Sequence, residues 1–273
     1  MGRRVVSAAV GIPLITIVIW AGLPWMFTFV LILAAIGAIE LCHLARGWGG
    51  RPLGKLSAFW ASAFVLGGYL LTTEVSAEAV MVLVAAAFVM GILVWFFWRG
   101  RSGAGAKDLG LTAAAAAYTG ILLAHAIVLR ASPDGSEWVS LAVLSTFGAD
   151  TLAFFVGTAI GKSPLAPSIS PNKTWVGTIA GFICSMVFMI ILFQYNFFDG
   201  LISTVDVIAF GIIAGGFGQL GDWVESLLKR EAGLKDTGDF LRGHGGILDR
   251  FDSLTFAAPL TLIYCTYFIK VGQ

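Results

Sequence analysis

The sequence predicts an all-α polytopic membrane protein with about nine transmembrane helices. Three observations carry that prediction. Of 273 residues, 58% are hydrophobic and 12% charged, against roughly 25% charged residues in soluble domains. The mean hydropathy is +0.89. The apolar residues also gather into runs long enough to cross a bilayer, which takes about 20 residues. These runs fill the chain and leave no room for a separate soluble domain, so residues 1–273 read as one integral-membrane domain.

The predicted spans are 5–20, 26–44, 56–72, 79–98, 109–129, 139–160, 176–195, 207–228 and 251–269. The first is short and follows Arg3-Arg4, as in a secretory signal. No small-residue cleavage site follows before the next apolar run, so it reads as a helix. Trp20, Trp25, Trp60, Trp95 and Trp98 fall near the proposed ends, where interfacial anchors sit.

Charge orients these spans. With the N-terminus cytoplasmic and the C-terminus outside, 15 of the 17 Lys and Arg residues fall on the inner side, and only Arg130 and Lys270 fall outside. The outer loops carry Glu74, Glu78, Asp134, Glu137, Asp199 and Asp206. That asymmetry follows the positive-inside rule, and a miscounted span would invert every later loop. The basic segments are therefore expected on the cytoplasmic side of the membrane.

Several features read as packing. Gly157/Gly161, Gly177/Gly181 and Gly211/Gly215 have the small-xxx-small spacing that lets helix backbones approach. Packing within the monomer is the simpler reading; a homodimer contact is the alternative. Cys42, Cys184 and Cys265 lie in apolar runs without a metal-binding spacing and read as small hydrophobes. Glu40, His43 and His125 are lone polar groups on apolar helices, which suggests interhelical hydrogen bonds. A net charge of +1 argues against a nucleic-acid partner.

Charge is concentrated between residues 222 and 252, where 31 residues hold 12 of the 33 charges. Asp222 and Glu225 sit three apart on an apolar helix and share a face, and Asp249 and Asp252 repeat the spacing. Carboxylates at or in the hydrocarbon are costly, so they face a cavity or a cation. Four carboxylates without clustered Cys or His favour a hard cation such as Mg²⁺, which completes its shell with water and phosphate oxygens. The interleaved Lys229, Arg230, Lys235, Arg242 and Arg250 suit further phosphate charge. The glycines of Gly243-His244-Gly245-Gly246 let backbone approach a bulky anion. A cation-coupled transporter site is the rival reading. Against it, the acids crowd one cytoplasmic end and no inverted repeat is evident.

A second polar block spans residues 148–178. Asp150 lies within an apolar helix and needs a partner. Beyond Gly161-Lys162, the loop 163–174 holds Ser170-Pro171-Asn172-Lys173-Thr174, a proline-stiffened stretch suited to phosphate contact at a membrane surface. The piece Gly157–Ser163 is one residue too short for a P-loop and ends an apolar helix, so it is rejected as one.

Together, Ser226-Leu227-Leu228-Lys229-Arg230, Lys235-Asp236 and His244-Gly245-Gly246-Ile247-Leu248-Asp249-Arg250-Phe251-Asp252 resemble the long gapped signature of the phosphatidate cytidylyltransferases (CDP-diacylglycerol synthases). The block from Asp150-Thr151 through Ser170-Pro171, Lys173, Thr174 and Trp175 is similar to the family's other shared block. The resemblance covers the whole chain, with its specificity in residues 148–178 and 219–253. Arg242, Asn172 and Val176 depart from the family pattern, where a proline or small residue, a lysine and a glutamate are usual.

The resemblance implies transfer of CMP from CTP to phosphatidic acid with Mg²⁺, giving CDP-diacylglycerol and pyrophosphate; it leaves room for a second metal or a monovalent cation. It implies Asp222 and Asp249 as metal ligands, with Asp252 and Glu225 as further ligands or supports. Lys173, Lys235 and Arg250 become phosphate contacts and Lys162 a weaker one; Ser170, Thr174, Lys229 and Arg230 complete the substrate-binding set. His244 orients a phosphate or a ligating carboxylate, and Asp150 pairs with a lysine or supports the metal. A sister enzyme acting on another lipid phosphate is the near alternative.

Overall fold

In the computed structural model, residues 11, 13–102, 105–195, 202–238 and 245–269 are described. Residues 5–10 and 12 of the first predicted stretch lie outside the described residues; the described parts of the predicted stretches carry helices. We label them α1 (residues 13–20), α2 (Leu23–Gly47), α3 (Gly54–Leu70), α4 (Ala77–Ser102), α5 (Ala106–Ala131), α6 (Gly135–Ile160), α7 (Trp175–Gln194), α8 (Thr204–Glu231) and α9 (Leu248–Tyr267). Among the described residues, six helices are long and apolar enough to cross a membrane: α2 and α4 to α8. Helix α3 has 17 residues, and α9 opens on Asp249, Arg250 and Asp252. The outward faces agree with a lipid setting. On α4, Met81, Val82, Met90, Phe96 and Phe97 are all exposed, a stripe that water would penalise.

Two departures from plain helical periodicity matter. Ala117–Ile121 in α5 and Ile213–Phe217 in α8 are π turns. A π turn inserts an extra residue and resets the facing of everything after it. The apolar stripe of Thr204–Ile212 therefore does not continue into Gly218–Glu231, where acidic residues appear. The expected loop 163–174 is also partly ordered: β1 (Pro164–Ala166) pairs antiparallel with β2 (Ser170–Thr174).

The chain packs as two compact units, each discontinuous in sequence. The first comprises Met1–Ser132 with Leu228–Arg250. Its helices meet through small residues: a Cβ on Gly120 would lie 2.8 Å from Ala61 Cα, and one on Gly68 would lie 2.9 Å from Ala124 Cβ. Polar links stitch the same unit. Ser57 Oγ donates to Thr112 O at 3.0 Å, and the Asp108 carboxylate accepts Arg51 N–H at 2.5 Å and Gly105 N–H at 2.6 Å. Leu41, Cys42, Leu44, Ala115 and Leu248 form a buried cluster, with Leu228 and Leu234 packed against it. Burying Leu248 there pins the first residue of α9.

The second unit comprises Pro133–Leu227 with Phe251–Gln273. All three GxxxG pairs serve helix contacts within it. A Cβ on Gly177 would lie 2.6 Å from Ala153 O and one on Gly181 2.7 Å from Ala149 O, so α6 and α7 touch backbone to backbone. Gly161, Gly211 and Gly215 are likewise crowded by Thr174, Met186 and Ser185. Trp138 stacks on Phe210 at 5.4 Å, and Tyr264 Oη donates to Asp206 at 2.7 Å.

The tryptophan expectation needs correction. Trp60 is 1% exposed, stacks on Phe88 at 4.4 Å and donates to Ala87 O at 3.2 Å. Trp95 is also buried, whereas Trp20, Trp25 and Trp98 are exposed. An indole in mid-helix can satisfy its one donor on a neighbouring carbonyl, so it needs no interface. Cys42 and Cys265 are buried and Cys184 half-buried, all as free thiols.

Candidate active site

Each unit carries its own polar cluster, and both belong to the motifs singled out from sequence.

In the first unit, α8 ends in a glycine stop. Gly233 takes φ +69°, its N–H donates to Arg230 O at 3.0 Å, and Leu234 N–H donates to Lys229 O at 2.9 Å. That pair of bonds is the Schellman arrangement, which a glycine at the left-handed position permits. It turns the chain towards Thr237, whose backbone and side chain meet Asp249. Among the described residues, the Asp249 carboxylate receives four donors. Oδ1 takes Lys229 Nζ at 2.6 Å; Oδ2 takes Thr237 N–H and Oγ1–H, each at 2.9 Å, and Gly246 N–H at 2.8 Å. The Gly246 bond spans three residues at the start of α9, as in the back-reaching half of a capping box. An ionised carboxylate has about four lone-pair sites over its two oxygens; three of these donors crowd Oδ2, and Oδ1 holds Lys229. Lys229 and Asp249 side chains are each 11% exposed, which makes theirs a largely desolvated ion pair.

Glu40 of α2, 6% exposed, stands behind this arrangement. Its Oε1 accepts Ile247 N–H at 2.9 Å, and its Oε2 accepts Leu248 N–H at 2.9 Å and lies 3.2 Å from Thr237 Oγ1. The sequence-based expectation of a hydrogen-bonded Glu40 holds, with Ile247 and Leu248 as its partners and Thr237 beside it.

In the second unit, Lys173 on β2 reaches Asp222 on α8. Nζ lies 2.5 Å from Asp222 Oδ2, with the side chains 24% and 26% exposed. The same ammonium sits 5.9 Å from the centroid of the Trp223 ring, within cation–π range. Ser226 Oγ donates to Asp222 Oδ1 at 3.3 Å. The position of Lys173 follows from the hairpin: β2 carries the chain into α7, where Thr174 Oγ1 accepts Gly177 N–H at 3.2 Å as the N-cap. Asp150 on α6 accepts Ser253 Oγ–H at 2.8 Å, and Asp222 and Lys173 are its charged neighbours. Ser253 N–H also donates to Asp252 Oδ1 at 2.7 Å.

The remaining sequence-predicted residues are placed as follows. Glu225 is fully buried on α8, and Arg250 is half-buried in the first turn of α9. Lys162, Arg230 and Lys235 are exposed, and Ser170 is half-buried at the start of β2. His244 and Arg242 lie outside the described residues. Among the described residues, no three His, Cys, Asp or Glu side chains converge as a ready metal cage. Taken unit by unit, the carboxylates of Asp222 and of Asp249 are hard oxygen donors, and each already holds one ammonium at contact distance.

Sequence reasoning did not find Thr237 and Ser253, the two hydroxyls that bridge these acids. Their only signal was position, each lying beside acids in the charged run.

The model of the cytidylyltransferase family matches residues 2–268. Phosphatidate cytidylyltransferase of Staphylococcus haemolyticus (strain JCSC1435) is 44% identical over 144 residues, 53% of this chain and 54% of that protein. The protein of the same name from Staphylococcus saprophyticus is 42% identical over 144 residues, 53% and 54% of the two chains. That from Staphylococcus aureus (strain COL) is 44% identical over 127 residues, 46% and 48% of the two chains. The chain thus spans about half the length of the curated relatives it matches. The chain belongs to the cytidylyltransferase family.

Proposed function

We propose that this protein transfers CMP from CTP to phosphatidic acid, giving CDP-diacylglycerol and pyrophosphate for phospholipid synthesis. The observation that carries the reading is the charged run of the family signature, with Asp249 held by four donors. It occurs in a chain of the cytidylyltransferase family whose relatives are named phosphatidate cytidylyltransferase. The proposed setting is the inner membrane, with nine spans, the N-terminus cytoplasmic, the C-terminus outside and the site facing the cytoplasm. There CTP arrives from the cytosol while phosphatidate keeps its acyl chains in lipid. Residues 1–273 act as one catalytic domain, and the GxxxG contacts within the monomer leave homodimerisation to other surfaces.

A phosphate oxygen of phosphatidate forms a bond to the α-phosphorus of CTP. The bond from that phosphorus to the bridging oxygen breaks, and pyrophosphate leaves with the electron pair. A phosphomonoester has its second pKa near about 6, so the nucleophile is an anion at neutral pH and needs no strong base. The difficulty is bringing two anions together and accepting charge on the leaving group, which positioned cations answer. Lys173, Lys235 and Arg250 are proposed to contact phosphates, with Lys162, Ser170, Thr174, Lys229 and Arg230 completing substrate binding. His244 orients a phosphate or a carboxylate, and Asp150 steadies the acids through Ser253. The proposed cofactor is Mg²⁺, its ligands drawn from Asp222, Asp249, Asp252 and Glu225. When bound it supplies charge neutralisation to the phosphate oxygens.

The test is a comparison of acceptors. Purified protein should transfer CMP to phosphatidate in preference to isoprenoid phosphates or ether lipids. A preference for another lipid would reassign the substrate, and ion uptake into proteoliposomes without nucleotide turnover would replace the enzyme with a transporter.

A further inference from the structure

Glu40 lies far from the signature in sequence, on a helix that carries no other acid, yet it meets the stretch around Asp249 at Thr237, Ile247 and Leu248. Its carboxylate accepts the N–H groups of Ile247 and Leu248, at the N-terminus of α9. The first N–H groups of a helix have no partner within the helix, and an anion there also meets the favourable end of its dipole. Glu40 thus caps α9 from another helix. The fit is close on both sides. A Cβ on Gly238 would lie 2.9 Å from Glu40 Oε1, and one on Gly246 would lie within 2.5 Å of Oε2 and still closer to Thr237 Oγ1. Those two positions are glycine because the Glu40 side chain and the Thr237 hydroxyl occupy the space a side chain would take.

The link to Asp249 is a shared hydroxyl. Thr237 Oγ1 is 3.2 Å from Glu40 Oε2 and 2.9 Å from Asp249 Oδ2. A hydroxyl carries one proton, so it donates to one carboxylate at a time, and the shorter distance favours Asp249. Thr237 and Gly246 also send backbone N–H groups to Asp249, and Gly246 precedes the two residues Glu40 binds. By binding Ile247 and Leu248, Glu40 therefore fixes the residues beside Gly246, one source of the Asp249 Oδ2 donors, while Oδ1 meets Lys229.

We infer that Glu40 is a positioning residue for Asp249, fixing the start of α9 so that the Asp249 carboxylate keeps one orientation. The inference rests on the reading of Asp249 as a residue of the cation site. Partners that orient metal ligands typically cost about 10- to 100-fold in metal affinity or activity when changed.

Glu40→Gln is the informative variant, because it keeps the size and one carbonyl oxygen but turns an amide against Ile247 N–H or Leu248 N–H. Glu40→Asp keeps the charge but shortens the reach and serves as a second variant should the first fold poorly. Two readouts apply to the folded fraction in detergent: the rise in thermal midpoint with Mg²⁺ alone, without substrates, and kcat and KM for CTP. The expected result is a half-saturating Mg²⁺ concentration raised about 10- to 100-fold, with kcat per folded molecule reduced by more than KM changes. A merely structural role would lower stability while leaving both values per folded molecule at wild type, and that outcome would overturn the inference. Asp249→Asn is measured alongside. If it is inactive and Glu40→Gln titrates Mg²⁺ as wild type, the Glu40 inference fails and the reading of Asp249 stands. If Asp249→Asn turns over and binds Mg²⁺ like wild type, the underlying reading fails and the inference with it.

Discussion

Replacing Asp249 by asparagine removes one charge from a carboxylate that receives four donors. The new side chain keeps a single carbonyl oxygen. If that oxygen stays with Gly246 N–H, Thr237 N–H and Thr237 Oγ1–H, the amide NH₂ faces the Lys229 ammonium, donor against donor. Removing one partner of a buried ion pair costs about 3–5 kcal/mol. Both side chains retain 11% exposure, which places the loss at the lower end, about 3 kcal/mol. Lys229→Met in the same background removes the ammonium that faces the new amide and keeps the aliphatic stem. The double variant should then recover about 1–2 kcal/mol relative to additivity. The measurements are denaturant unfolding in detergent followed by circular dichroism, and CMP transfer per folded molecule. Turnover should fall about 100-fold or more in the single variant, as when a group preorganised toward transition-state charge is lost, and should not return in the double variant. Wild-type stability in Asp249→Asn, or strictly additive losses, would refute the ion-pair reasoning. Wild-type turnover would remove Asp249 from the site.

Three further outcomes follow from the same geometry. The Lys173–Asp222 side chains are about a quarter exposed, but the Lys173 ammonium itself is buried. Asp222→Asn should therefore cost more than the roughly 1 kcal/mol of an exposed pair and less than the about 3–5 kcal/mol of a fully buried one, while turnover collapses; a stability loss with normal turnover per folded molecule would make the pair structural. Gly177→Leu forces a side chain against Ala153 O and Gly157 Cα, and overpacking of this kind costs about 1–3 kcal/mol; an unchanged unfolding midpoint would contradict the close α6–α7 contact. For orientation, single cysteines at positions 134 and 162 in a cysteine-free background should divide: an impermeant thiol reagent on intact cells labels position 134 only, and the reverse pattern would invert the topology.

How much of this was legible in the sequence varies by kind of information. Hydrophobic runs located the helices because burying a backbone in lipid demands continuous apolar length, and that demand is local. The charged run 222–252 was legible for the same reason, since acids beside apolar helices stand out. The π turn at Ile213–Phe217 left no such mark: its residues are as apolar as their neighbours, and only packing decides where an extra residue is absorbed. Lys173 and Asp222 were each singled out, but their pairing depends on a short hairpin that a proline-containing stretch read simply as a loop. Glu40 was seen as a lone acid that must be satisfied. Nothing local indicates that its partners lie some 200 residues on, because hydrogen bonding between distant segments is fixed by which helices become neighbours. Trp60 misled for the converse reason: an indole near a proposed span end looks interfacial, and a backbone carbonyl within reach made it core.

The most direct test of the central claim is CMP transfer from labelled CTP to phosphatidate by the purified protein in detergent, with Mg²⁺ and with EDTA. The account predicts labelled CDP-diacylglycerol and stoichiometric pyrophosphate with Mg²⁺, and loss of both on chelation with recovery when Mg²⁺ is restored. Transfer that survives chelation would contradict the metal role, and no transfer from a folded protein supplied with Mg²⁺ and both substrates would contradict the proposed function.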